Sequence, residues 1–320
     1  MTEESYRIDI HHHIIPSAYV DSLARIGVSS SLGINLPSWS VETTLEMMDR
    51  NAIRAAITSI SSPGVYFNDA DFAFNLARRC NEISARLITD HPHRFGAYAT
   101  LPLPDVGKTL KEIEYSVDKL HLDGVVLLTN YAGKYLGDQA FDEVFVELNR
   151  RKAVVYVHPT DPPGGNPLGP HVPTFLMEVT FDTTRAIANL IFSGTLEKYS
   201  DISFLFAHAG GTAPYLAWRI SLGTFTWPGA AQKAPKDALF YLRRLYYDTG
   251  LSASPYALRS LQELVDDSHI LFGSDYPFAP EIITTETIKG INAYDGFNVE
   301  SRRAVEEKNA LKLFSRFTDF

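Results

Sequence analysis

The chain has 320 residues, 45% of them hydrophobic and 21% charged, with a net charge of -9 and a single cysteine. That balance excludes a basic nucleic-acid footprint and a disulfide framework, and no apolar run is long enough to span a bilayer. The length suits one α/β barrel, which routinely exceeds 250 residues as a single unit.

The start, MTEESYRID, lacks the basic start and apolar core of a signal peptide, so a reducing cytosol is the expected setting. A first strand is expected at Tyr6–Ile10, followed by three histidines and a long connection that ends in LPSWS near Ser40. The second strand falls at Ala52–Ile60. DADFAFNLARRCNEISARLI then reads as a helix with Asn and Asp as capping candidates and Cys80 as a buried spacer. The third strand is Phe95–Leu101, followed by the helical DVGKTLKEIEYSVDKLH; the fourth is Gly124–Thr129, followed by DQAFDEVFVELNRRK. The fifth, Ala153–His158, leads into a Pro- and Gly-rich connection, PTDPPGGNPLGPHVPTFLMEVTFD. Next comes TTRAIANLIFSGTLEKYS, a helix opening on threonine caps, and strands at Ile202–His208, Leu245–Thr249 and Ile270–Gly273.

Segments such as GVVLL, AVVYV and ISFLFA are apolar throughout, as strands buried on both faces must be. Strands alternating with helices, with no boundary linker, predict one (β/α)8 barrel domain over 1–320. An open doubly wound sheet is the second choice, disfavoured by the lack of G-x-G-x-x-G after the first strand. In a barrel both long connections lie at the carboxyl face, where active sites form.

Chemistry-bearing residues gather at the ends of four strands. His11 and His13 are two apart, so their side chains share one side of a strand while His12 points away. His158 ends the fifth strand, His208 ends the sixth, and Asp275 follows the eighth. His11 and His158 are separated by 147 residues, about 37 per βα unit over four units. His158 and Asp275 are separated by 117, about 39 per unit over three. The registers agree, and three imidazoles with a carboxylate suit a divalent transition metal. His91, His93, His121 and His269 fall at the opposite face, His12 reads as a supporting or packing residue, and His171 lies in the second long loop. Trp39, Phe67, Phe175, Tyr276 and Phe278 fall on mouth loops and offer walls for a flat apolar ligand.

Together D-I-H-x-H at 9–13, V-H-P at 157–159, A-H-A-G-G at 207–211 and G-S-D-Y-P-F at 273–278 resemble the amidohydrolase superfamily. Within it they resemble the branch of aminocarboxymuconate-semialdehyde decarboxylase and the metal-dependent aromatic-acid decarboxylases. The resemblance implies a distorted barrel and one divalent ion, zinc or in some members manganese, held by His11, His13, His158 and Asp275. His208 matches the histidine that serves metal-bound water or substrate. The fourth strand, GVVLLTNY, has no lysine to carboxylate, which indicates a mononuclear site. WRISLG at 218–223 resembles the segment whose arginine crosses a homodimer interface to hold a substrate carboxylate, so Arg219 is the implied clamp. VETTLEMM lacks the arginine that the semialdehyde enzymes carry there, which favours a monoacid. The implied activity is non-oxidative decarboxylation of a small ortho-hydroxy aromatic acid. A metal-dependent lactonase or C–C hydrolase is the alternative, and a non-catalytic metal-binding barrel a third.

Overall fold

In the computed structural model, residues 6–318 are described; the two ends of the expected 1–320 domain, and most of MTEESYRID, lie outside them. Eight parallel strands follow one another around a barrel in chain order. They are β1 (Arg7–His13), β2 (Ile53–Ser59), β3 (Phe95–Thr100), β4 (Gly124–Leu128), β5 (Val154–His158), β6 (Ser203–Phe206), β7 (Tyr246–Asp248) and β8 (Ile270–Leu271). The ring closes between its ends: Ile10 N donates to Phe272 O, His13 N to Tyr276 O, and Asp275 N to His11 O. That closure rules out the open sheet.

Alternation along the strands sorts the apolar residues into two cores. One fills the barrel with Ile8, Ile10, Ala55, Ile57, Tyr98, Val126, Tyr156 and Leu205. The other, between strands and helices, takes Ile53, Ala56, Phe95, Val125, Val155 and Phe204. The last turns close the amino-terminal end of the barrel: Phe314 and Phe317 join the interior core, and Phe314 meets the Tyr98 ring edge-on at 5.8 Å. Each buried ring contributes about 2 kcal/mol.

The helix expected after β2 spans Ala70–Asp90, with the Asp69 carboxylate accepting from the Asp71 and Phe72 amides. Its stripe of Ala73, Leu76, Ala77, Cys80, Ser84 and Leu87 faces the barrel, so Cys80 is a core residue. Three expectations need correction. First, β1 runs through the histidines to His13, because closure against residues 272–276 supplies backbone partners that no local pattern reveals. Second, the helix expected to open at Thr183 begins at Thr174 after Pro173. Thr183 and Thr184 lie inside it, their hydroxyls donating to the Val179 and Thr180 carbonyls. Third, the long connection after β5 is therefore shorter, and Phe175 sits in the first turn of that helix.

Candidate metal centre

β1 carries an irregularity that decides which way its histidines face. Asp9 pairs with Ala56 and His12 with Thr58, so Ile10 and His11 together stand opposite the single residue Ile57. Such a two-against-one bulge shifts the alternation by one residue. Ile8 and Ile10 point into the barrel, and without the bulge His12 would follow them. With it, His11 and His13 enter instead, and the His11 ring lies 5.3 Å from Tyr156 and 5.2 Å from His158.

His11, His13, His158 and Asp275 are all buried, with ligand atoms within 4.8 Å of one another. Asp275 Oδ1 lies 3.0 Å from His11 Nε2 and from His13 Nε2, and 4.0 Å from His158 Nε2. His208 Nε2 approaches the other oxygen, Asp275 Oδ2, at 3.3 Å. His208 and Asp275 both hold left-handed backbone, φ 55° and 63°. Such conformations cluster where a site dictates side-chain direction. Backbone bonds secure them, from His208 N to Asp248 Oδ1 and from Asp275 N to His11 O.

Asp248 and Ser59 were not recognised from sequence. Asp248, buried at the end of β7, places Oδ2 2.9 Å from His11 Nδ1 and accepts from the Tyr156 hydroxyl and the Gly250 amide. Ser59 Oγ lies 2.9 Å from His13 Nδ1, and the Pro159 carbonyl lies 2.8 Å from His158 Nδ1. Each of the three imidazoles thus has its Nδ1 engaged and its Nε2 turned inward, the arrangement that orients ligand histidines. YYDTG, with an aspartate closing the seventh strand, was the available signal for Asp248.

The electrostatics call for a cation. Burial works against a charged His11, but the carboxylates of Asp248 and Asp275 outweigh it and raise the imidazole to about 10. Burial, helped by His11, lowers His13 to about 4 and drives His158 well below its ordinary value. Burial would raise Asp275, yet His11 and the hydrogen bonds from the histidines hold it well below the usual carboxylate range. The buried His158 Nε2 has no hydrogen-bond partner among the described residues. Three nitrogens, one of them this orphaned atom, and one carboxylate oxygen fit a divalent metal ion. Binding must displace the His11 proton, so metal affinity is expected to rise with pH, about tenfold per unit below about pH 10. Calorimetry in buffers of differing ionisation enthalpy should find about one proton released per ion; affinity unchanged between about pH 6 and about pH 9 would contradict this.

Around the cluster, the Phe278 ring packs edge-on against His13 at 5.5 Å, while Tyr276 lies over His12 at 5.3 Å on the outward side. Trp39 is half-buried, Phe175 is 41% exposed, and Phe67 contacts Phe72. Among the described residues, no hydrogen bond, ion pair or ring contact joins Trp39, Phe175 or Arg219 to the cluster. His171 is exposed. His91 and His93 precede β3, His121 precedes β4, and His269 precedes β8, all at the far face.

Fold and donor set together define a barrel enzyme of the divalent-metal class. Residues 8–316 match the amidohydrolase family, and the chain belongs to it. It is 35% identical over 314 residues to the 6-methylsalicylic acid decarboxylase of Penicillium expansum, covering 97% of this chain and 96% of that one. A solved amidohydrolase II superposes with a TM-score of 0.90 at 28% identity, over 97% of this chain and 99% of its own. The 5-carboxyvanillate decarboxylase of Novosphingobium aromaticivorans, solved with manganese and a nitrobenzoic acid, shares the fold (TM-score 0.85, 21% identity, 97% of this chain and 96% of that one). No helix of the described residues is long and apolar enough to cross a membrane.

Proposed function

We propose that the protein is a metal-dependent carboxy-lyase that removes carbon dioxide, without oxidation, from a small ortho-hydroxy aromatic acid of the salicylate or 6-methylsalicylate kind. The observation that carries this reading is the buried Asp275, wedged between three ligand imidazoles and His208, in a chain aligned almost end to end with a 6-methylsalicylic acid decarboxylase. The ion is read as zinc, with manganese the alternative that metal analysis would reveal; its part is to stabilise negative charge on the substrate's oxygens. The cytosolic setting belongs to the same proposal and rests on composition.

Breaking an aryl–carboxylate bond directly would leave a ring carbanion. Protonating the ring carbon that bears the carboxylate avoids it; the C–C electron pair then restores aromaticity as carbon dioxide leaves. Asp275 is held anionic at rest, so the proton it delivers is one it has just received, and His208, 3.3 Å from Oδ2, is the relay. Trp39 and Phe175 are assigned to the apolar slot for the ring, with Phe67 and Phe278, whereas Tyr276, expected there, packs against His12 on the outward side; the Trp39 Nε1 donor is buried and unpartnered among the described residues. Metal-loaded protein in deuterated water should turn salicylate-type acids into bicarbonate and a phenol bearing one deuterium at the vacated carbon. Hydrolysis of aryl esters or lactones with no bicarbonate from any acid would replace this reading with a hydrolase.

The carboxylate clamp is assigned to Arg219 of a second copy. On the helix Ala213–Ser221, Arg219 is exposed and without an ion-pair partner among the described residues. It sits amid Tyr215 at 82%, Trp218 at 67% and Phe225 at 79% exposure, an apolar stripe that favours burial in a homodimer. Arg219→Met should raise KM by about 10- to 100-fold and leave kcat much less affected. Mixing it with an Asp275→Asn chain should restore about a quarter of the wild-type sites, since each mixed dimer assembles one intact site. No recovery on mixing would place the clamp in cis or elsewhere.

A further inference from the structure

Asp9 is a carboxylate with no exposed surface in the strand RIDIHHH, where apolar residues would pack at less cost. It makes four close polar contacts, with three residues. Oδ1 accepts from the His11 amide at 3.1 Å and the Ser274 amide at 3.0 Å. Oδ2 accepts from the Ser274 hydroxyl at 2.5 Å and lies 2.9 Å from His12 Nδ1.

Two of these bonds fall where the backbone leaves the regular ladder. His11 belongs to the bulge and has no register partner on β2, so its amide requires an acceptor from elsewhere. Ser274 immediately precedes Asp275, whose backbone is left-handed. We propose that Asp9 is the positioning residue of the metal centre: its carboxylate holds the β1 bulge and the Asp275 turn in one fixed relation. The bulge turns His11 and His13 into the barrel, and the bonds to Ser274 set where Asp275 stands against them. One side chain thus joins the halves of a donor set contributed by opposite ends of the polymer. His12, engaged by the same carboxylate and packed at a tilt against Tyr276, is a strut of this joint on the outward side.

The inference rests on the metal reading and is tested on the same full-length protein with Zn2+ and Co2+ as probes. Asp9→Ala should weaken binding of either ion by about 100-fold and alter the cobalt ligand-field spectrum, which reports ligand number and geometry. Asp9→Asn keeps an acceptor for the two amides and should recover affinity to within about 10-fold of wild type, with a near-native spectrum. Should Asp9→Ala not fold, Ser274→Ala takes its place: losing one of the two bonds on the Asp275 side, it should shift the cobalt spectrum while remaining folded. Variants that bind cobalt with wild-type affinity and spectrum, differing only in melting temperature, would reduce Asp9 to a packing residue. An Asn variant as defective as Ala would equally overturn the proposal. Wild-type protein that takes up neither ion would sink the metal reading, and this inference with it.

Discussion

Asp275→Asn is expected to lower turnover by about a thousandfold in protein saturated with metal, as loss of a positioned proton donor does. The substitution is nearly isosteric, and asparagine tolerates the left-handed backbone, φ 63°, that position 275 adopts. The fold should therefore survive, and the defect should read as chemistry. Asparagine can still offer one oxygen near His11 and His13, where Oδ1 now lies 3.0 Å from each Nε2. It replaces the other oxygen, the one facing His208 at 3.3 Å, with a group that cannot carry a proton between histidine and substrate. Metal content by mass spectrometry and single-turnover decay of the substrate separate the two roles. A variant that holds its ion and keeps more than about a tenth of wild-type turnover would show Asp275 to be a ligand alone.

Gly273→Ala is expected to empty the metal centre although no ligand is changed. A methyl at position 273 would lie 2.6 Å from His11 Cβ and 3.2 Å from Asp248 Cβ. The first distance is below any contact real side chains make, and neither neighbour offers a flexible end that could swing aside. His11 must move, and with it a ligand nitrogen and its bond to Asp248. Overpacking of this kind costs about 1–3 kcal/mol of stability, so the protein should fold with a lowered melting temperature. Its metal affinity should drop by at least about 100-fold, since orientation at His11 is lost. Gly107→Ala is the control, because its added methyl meets only Asp105 Oδ1, at 3.7 Å. Equal metal content in both variants would mean that His11 is free to relax and that its packing does not set the site.

Both predictions concern distances that no pattern along the chain could supply, and the same division runs through the fold. Continuous apolar strands, their spacing of about 37 to 39 residues, and histidines or aspartate at four strand ends were enough to specify a barrel with its site at the carboxyl face. These are periodic properties, and periodicity is written locally. The direction in which the β1 histidines face is different. Alternation places His11 and His13 together, but continued from Ile8 and Ile10 it sends His12 inward; the two-against-one pairing with Ile57 reverses that. The bulge depends on partners 265 positions away at Ser274, and Asp248 reaches His11 from β7. The helix beginning at Thr174 likewise escaped a reading that took threonines as caps, since only its packed surroundings make Thr183 and Thr184 interior residues. What the amino-acid order determined by itself was which residue types recur, and at what interval. Which of them meet, and at what distance, was decided when the barrel closed, because closure brings together backbone and side chains whose separation along the chain carries no local signal.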